Sequence, residues 1–509
     1  MREQPPQHRI VPGSGGSRPG LLWLVALLTL LVSPPSARAY EAMVQATVVS
    51  QSYQIRDAND GALSLRRLDT YLRIAVLDLL PTEKKKRSQD PVTQMHFIAG
   101  MRLRADFGGF TRQWDSSLTA HGREGGVNPL FELMYAHLAV TDLGGVIDLR
   151  LGRQFQLDPM DFYGYDGLYA RFRLPIHVAI ETVAGLRNGG RYAFDMPIFQ
   201  LDGTDLTDTN PGWKPMVGVA LSTHDLGFLS ARVAYRASWH VLDPSDPGTG
   251  YPEVDGEAVP RTAMVEEKIS AFVHANLWKG KLQPYGGIRY NLLTTQLDEA
   301  QIGLSGRITK NVQLRAEYVR ESPDFDGDSI FNLFNAEAYQ EIRLWYEQRY
   351  KVRWRWYVRA TLRLFSGGAS DAESALETNV LEPDVGGGLG FVYLGQTLSG
   401  RVDLYYQEGY GGRTVGAYGY YRHEVIRDWL SLEARAVIAY WDDDLSVTPE
   451  GVSAGLGLGG RLNFGKWVAL HVILEDNFGT HYKSDLRLFA LLNFSWCTTG
   501  TCVAGEVIP

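Results

Sequence analysis

An antiparallel β-barrel that crosses a membrane is the fold this sequence predicts, and three observations predict it. Apolar and polar residues alternate with a period of two along many runs of about ten residues. The connections between these runs are alternately short and long. Beyond the first 39 residues, no apolar run reaches the roughly 18 residues a membrane helix needs. An alternating strand has a mean hydropathy near zero, so a barrel carries no such run. A soluble sheet also alternates, but the run length and the paired connection lengths are those of a barrel with an apolar exterior and a polar lumen.

Residues 145–187 show the rule most plainly. Ile147, Leu149 and Leu151 alternate with Asp148, Arg150, Gly152 and Gln154. Leu168, Ala170, Phe172 and Leu174 alternate with Tyr169, Arg171 and Arg173; Ile176, Val178, Ile180, Thr182, Ala184 and Leu186 alternate with His177, Glu181 and Arg187. Period two places each set on one face of a strand.

Within this stretch Leu151-Gly152-Arg153-Gln154 closes one run and Asp166-Gly167 opens the next. The pair resembles the GRQ…DG signature of alginate-export-type and related porins. The resemblance implies an outer-membrane channel and, as a further implication, polysaccharide export. From the residues themselves, Gly152 and Gly167 mark a bend or a close backbone approach. Arg153 is expected past the lipid band, near the rim, where a charge costs little.

The N-terminus predicts a secretory signal over residues 1–39. Arg2, Arg9 and Arg18 precede the apolar run Leu21 to Val32, and Ala37-Arg38-Ala39 supplies the small-residue cleavage site. Cleavage there makes Tyr40 the first mature residue, and with no cysteine beside it a lipoprotein is excluded. The barrel is expected over 40–496, with 497–509 a periplasmic tail. Cys497 and Cys502, the only two cysteines, bracket four residues in that tail; a small disulfide in an oxidising periplasm is preferred over free thiols. The length, 54 glycines, 11% aromatic residues and net charge of −8 would suit a large soluble protein equally well.

About 22 strands are expected, the first near 43–55 and the last near 485–496, an even number as single-chain bacterial barrels have. Losing the first pair or merging marginal strands would give 18 to 20. Short turns fall at Pro175, His224-Asp225-Leu226, Lys279-Gly280, Lys310-Asn311, Tyr350-Lys351, Gly395-Gln396 and Gly465. Long polar loops fall at 108–129, 188–213, 242–263, 323–337 and 366–382. With both termini in the periplasm, the turns are periplasmic and the loops extracellular. The last strand ends in Phe494 and Trp496, as strands do at the aromatic girdle, and resembles the C-terminal insertion signal of outer-membrane proteins. Such a signal usually closes the chain, whereas here residues 497–509 follow it.

The clearest strand is 352–365. Val352, Trp354, Trp356, Val358, Ala360, Leu362 and Leu364 share one face; Arg353, Arg355, Tyr357, Arg359, Thr361 and Arg363 share the other. One arginine at the lipid-facing midplane costs about 2–4 kcal/mol, so this face must meet water. The same reading places Arg150, Arg171, Arg173, Arg232, Arg236, Arg401 and Arg435 in the lumen. Fewer acids share it, among them Asp148, Glu181, Glu317, Glu341, Glu347, Asp403 and Glu433. A basic wall favours anions, and the guanidinium fork suits carboxylate and phosphate. The alternative is that pairs such as Arg343–Glu341 and Arg401–Asp403 neutralise one another and brace the wall.

Acidic loops (Asp202, Asp205, Asp208; Asp324, Asp326, Asp328; Asp442, Asp443, Asp444) have a spacing that suits calcium; the best of them, Asp324-Phe325-Asp326-Gly327-Asp328, lacks a downstream bidentate glutamate, so a solvated loop is preferred. No cofactor and no nucleic-acid partner is expected; the partners are outer-membrane lipid and lipopolysaccharide, and barrel-assembly machinery. His177, His240, His274 and His471 are read as inward, but no nucleophile–base arrangement stands beside them, so catalysis is not expected. His137 shares a face with Phe131, Leu133 and Tyr135, which leaves that strand's orientation open. The functional expectation is a channel for anionic or carbohydrate solutes, which the resemblance extends to polysaccharide export; a non-conducting scaffold of an exopolysaccharide or surface assembly machine is the alternative, and an enzyme of the barrel wall ranks behind it.

Overall fold

The computed structural model describes residues 41–57, 62–80, 93–106, 128–187, 214–241, 253–254, 257–258, 262–322, 338–366, 383–409, 412–442, 450–480 and 482–498. The first strands are β1 (Glu41–Asp57), β2 (Ala62–Leu77), β3 (Gln94–Asp106), β4 (Asn128–Leu143), β5 (Ile147–Asp158) and β6 (Asp161–Arg173). Next come β7 (Val178–Arg187), β8 (Pro215–Thr223) and β9 (Leu229–Val241), then a separate two-residue ladder, β10 (Glu253–Val254) with β11 (Glu257–Ala258). The wall continues through β12 (Thr262–Ala275), β13 (Leu282–Asn291), β14 (Gln296–Thr309), β15 (Val312–Glu321), β16 (Ala338–Tyr350) and β17 (Trp354–Ser366). It ends with β18 (Pro383–Leu394), β19 (Leu398–Gly409), β20 (Gly412–Ile426), β21 (Leu430–Asp442), β22 (Glu450–Phe464), β23 (Val468–Gly479) and β24 (Tyr482–Cys497).

Twenty-two of these strands form one antiparallel sheet, each paired with its chain neighbours. β1 closes it by pairing with β24 from Met43↔Cys497 to Asp57↔Tyr482. Closure satisfies every ladder internally, which is what a sheet in hydrocarbon requires. The period-two pattern then sorts the faces. Ile302 is 65% exposed and Leu458 59%, on the exterior, while Asp69, Glu181, Glu317 and Asp485 are buried on the interior. An apolar exterior on a closed barrel of this size places the protein in an outer membrane.

Several details differ from the sequence expectation. β17 begins at Trp354, so Arg353 belongs to the turn Lys351–Arg353 rather than to the strand. His177, with φ 60°, likewise lies in a turn. The connection lengths do not alternate strictly: 292–295 and 159–160, on the loop side, are tight turns. The orientation of β4 is settled by a bulge. Met101 pairs with Leu133 but Gly100 with Tyr135, so one extra residue switches the face. Phe131 and Leu133 therefore follow the lipid side, and Tyr135 and His137 the lumen side. β24 runs through Cys497, which is disulfide-bonded and packs against Met43 and Ala75. Its expected partner Cys502 lies outside the described residues, as do the signal segment, the acids at 202–208 and 324–328, and Asp443 and Asp444.

The largest departure is the β5–β6 hairpin. β5 pairs with β4 only as far as Ala136↔Arg153, and β6 with β7 only as far as Tyr165↔Arg187. Residues 155–164 pair with one another alone, from Phe155↔Gly164 to Asp158↔Asp161. Their contacts lie on the inner face of strands farther round the wall, so the hairpin leaves the wall and folds into the lumen.

Candidate functional site

The hairpin tip is fixed at four points. Arg232 Nε lies 2.9 Å from Asp158 Oδ2, and Arg236 Nη2 lies 2.8 Å from Asp161 Oδ2. Arg289 Nη1 donates to the Met160 carbonyl at 2.6 Å, and Gln301 Nε2 lies 3.0 Å from Met160 Sδ. The Met160 side chain fills the space that a Cβ on Gly287 would occupy. These partners stand on β9, β13 and β14, respectively three, five and six places along the wall from β6. Only a hairpin lying across the inner wall reaches all of them.

Folding inward reverses the hairpin's faces. Gln154, Gln156, Asp158 and Tyr165 are buried against the wall, Tyr165 with Tyr163, Val183 and Met216. Leu157 and Phe162, which the alternation would have sent to lipid, are 81% and 46% exposed and face away from that wall. Phe155 stacks on Phe162 and meets the ring of lumen-side Tyr135 edge-on. One apolar surface therefore faces the lumen.

The residues of the GRQ…DG resemblance form the hinge. Gly152 has φ 127°, a conformation that L side chains rarely adopt. A Cβ on Gly167 would strike the Ala184 carbonyl, and one on Gly185 the Asp166 carbonyl, so the backbones of β6 and β7 approach closely there. Arg153 donates to both Asp166 oxygens at 2.8 and 2.7 Å and to the Leu133 carbonyl at 2.9 Å. Leu133 adjoins Met134, the extra residue of the β4 bulge. Arg153 ties the base of the hairpin together, through Asp166 on β6 and the Leu133 carbonyl beside the bulge.

Across the lumen, on β15 to β24, arginines and acids alternate at i, i+2 on single strands and pair there. Arg315, Arg343, Arg401 and Arg487 have side chains 42–51% exposed, whereas their partners Glu317, Glu341, Asp403 and Asp485 are 3–10% exposed. The carboxylates lie against the wall and the guanidiniums extend over them. The surface that meets the lumen is cationic even where the charges are paired.

The arginines expected in the lumen divide accordingly. Arg232 and Arg236 hold the hairpin tip and are largely buried. Arg150 lies 4.1 Å over the Tyr169 ring and donates to Gln156, so it too serves the hairpin. Arg171 is 3.9 Å from Glu181, and Arg173 bridges Asp142 and Asp148 near the short-turn end. Arg355 is loosely held 3.8 Å from Glu347, Arg363 is 2.9 Å from Glu341, and Arg435 is 2.9 Å from Glu433. Arg401 pairs with Asp403. Arg359 is exposed and has no carboxylate partner among the described residues. Arg353 sits in its turn, outside the ladder.

The sequence reading overlooked lumen acids that the arginines use: Asp69, Asp158, Asp161, Glu266, Asp298 and Asp485. Asp485 was legible, since it stands two residues from Arg487 on one face. Asp158 and Asp161 were not, because they sit on the folded-in hairpin and their partners Arg232 and Arg236 stand on β9, far along the chain. Among the described residues no cluster of His, Cys, Asp or Glu could hold a metal ion.

No family model and no curated protein matches this chain. Among solved structures it is similar to OccAB4 of Acinetobacter baumannii at 8% identity and TM-score 0.44, covering 91% of this chain and 100% of that one. It is similar to the outer membrane protein opdK of Pseudomonas aeruginosa at 9% identity and TM-score 0.40, covering 90% and 98%. OccK2 (OpdF) of the same organism, solved in complex with glucuronate, gives 8% identity and TM-score 0.40 over 90% and 98%. Overlaps of this quality carry no argument about the permeant, and the resemblance to alginate-export-type porins finds no counterpart among them.

Proposed function

We propose that the protein is a passive outer-membrane channel for small anionic solutes. The observation that carries this is the ordering of charge on β15 to β24, guanidiniums toward the lumen and carboxylates against the wall. An ion passing such a surface meets the cationic end of each pair first, and low-dielectric walls strengthen the effect. A 22-stranded barrel is wide enough to need internal filling; the hairpin supplies it and leaves the arginine side of the lumen for passage. A folded-in hairpin also favours small solutes over a polymer, which needs an unobstructed bore.

Reversal potentials in planar bilayers under a potassium chloride gradient test the reading. Chloride preference that fades at high salt supports it; a cation preference overturns it. The same hairpin favours one second reading, a filled scaffold that holds a partner. Absence of any conductance from correctly folded protein would support that scaffold instead.

A further inference from the structure

One row of the inner wall combines an unpartnered cation with aromatic rings. Following the register along the hydrogen-bond direction, Arg315 stands opposite Trp345, Trp345 opposite Arg359, Arg359 opposite Gly388, and Gly388 opposite Tyr405. Cross-strand partners share a face, so all five belong to the lumen side.

The row is built rigidly. Trp345 stacks on Tyr357 with ring centroids 4.6 Å apart and planes at 14°. The Tyr357 hydroxyl donates to Asp403 and accepts from Arg401 at 2.7 Å, so the ring beneath Trp345 is held from its far end. Tyr357 lies flat because its neighbour is Gly390, where any Cβ would enter the ring. The same device acts at Gly388, where a Cβ would fall 2.5 Å from Arg359 Nε. Arg359 therefore leans over bare backbone toward Tyr405. A cavity of about 230 Å³ opens beside it, lined by Arg359, Arg363, Tyr405 and Gln407 and by two carboxylates, Glu341 and Asp384, that are buried against the wall.

We infer that this row is a binding subsite for a solute whose ring carries an anionic group, the ring on Trp345 and the anion on Arg359. The inference rests on the anion-channel reading and deepens it. An indole lying on a fixed phenol offers a flat apolar face to a planar ring or to the C–H face of a sugar. The guanidinium beside it offers paired donors to an oxyanion. Every neighbouring arginine of the row and of the cavity is engaged by a wall carboxylate: Arg315 by Glu317, Arg363 by Glu341 and Arg401 by Asp403. Arg359 alone of these is left to a solute, among the described residues. Pockets that orient ligands pair apolar lining with a few placed polar groups in this way.

Blockade of the chloride current by added solute tests it, in bilayers holding the whole protein. The probes are galacturonate and benzoate, each against its neutral counterpart, galactose and benzyl alcohol. At least one acid should block about tenfold more tightly than its neutral counterpart, and which acid does so tells a sugar ring from an aromatic one. Arg359→Gln should remove the preference for the acid, and Trp345→Ala should weaken blockade roughly fivefold. Arg359→Lys keeps the charge without the fork and should restore only part of the preference. Arg427→Gln, in an exposed short turn, should change nothing. If chloride selectivity persists while neither acid blocks better than its counterpart, the subsite is overturned and the channel reading stands. Loss of chloride selectivity in the unmodified protein would overturn both.

Discussion

Arg153 and Asp166 face one another across the β5–β6 hairpin with both guanidinium–carboxylate bonds formed, at 2.8 and 2.7 Å, one residue from the glycines where the strands leave the wall. The pair is partly exposed, the side chains 21% and 41%, so its contribution to stability is small, on the order of 1 kcal/mol. Its geometric role is larger, because the third donation, to the Leu133 carbonyl, ties the hairpin base to β4.

Arg153→Gln should therefore act on the pore more than on the fold. The barrel should still resist cold SDS, while open-channel current noise rises as the hairpin base loosens. Asp166→Asn should give the same change, and the double substitution no more than either alone. Additive effects would mean that the two residues do not act through their contact.

Seating of the tip depends on Gly287. Gly287→Ala places a Cβ where Met160 now sits and should dislodge the tip, raising single-channel conductance. Met160→Ala should do so less, since it leaves a small void and keeps Asp158–Arg232 and Asp161–Arg236. Unchanged conductance in Gly287→Ala, with heat-modifiable migration intact, would show that the hairpin does not limit the current.

Selectivity should follow the two faces of β17. Arg355→Glu with Arg359→Glu should move reversal potentials toward cations, more at 0.01 M salt, where the screening length is about 30 Å, than at 1 M, where it is about 3 Å. Trp356→Arg with Val358→Arg should instead impair assembly, because each lipid-facing charge costs about 2–4 kcal/mol near the midplane. Equal behaviour of the two pairs would contradict the face assignment.

The short turn at 224–228, between β8 and β9, carries a titratable pair outside the membrane. His224 Nδ1 is 2.8 Å from Asp225 Oδ2, and Nε2 is 2.8 Å from the Leu174 carbonyl. The bond to Asp225 raises the imidazole pKa above its ordinary value of about 6.5 and lowers that of the carboxyl. The raised histidine contributes fully below that ordinary value and is lost as pH rises through its folded pKa. The depressed aspartate contributes above the usual carboxylate range and is lost as pH falls through its folded pKa. The turn should therefore be held best between the two, and histidine NMR resonances should report titration above about 6.5, moving down in Asp225→Asn. Titration at or below the ordinary value would exclude the pair in solution.

What the sequence determined by itself was the local geometry of the wall. Alternation is a property of a single strand, so the faces of β17 and the count of 22 barrel strands were readable without any partner. The tertiary structure decided what those faces meet. Residues 155–164 alternate in the same way whether they stay in the wall or turn inward, and period two cannot tell lipid from lumen once the ribbon is folded over. That choice rests on Met160 finding Gly287 and on Asp158 and Asp161 finding Arg232 and Arg236, contacts between segments far apart in the chain. Arginine availability was hidden for the same reason. Whether a guanidinium serves a solute or a neighbouring carboxylate depends on three-dimensional distances, and these leave Arg359 exposed while they bury Arg236.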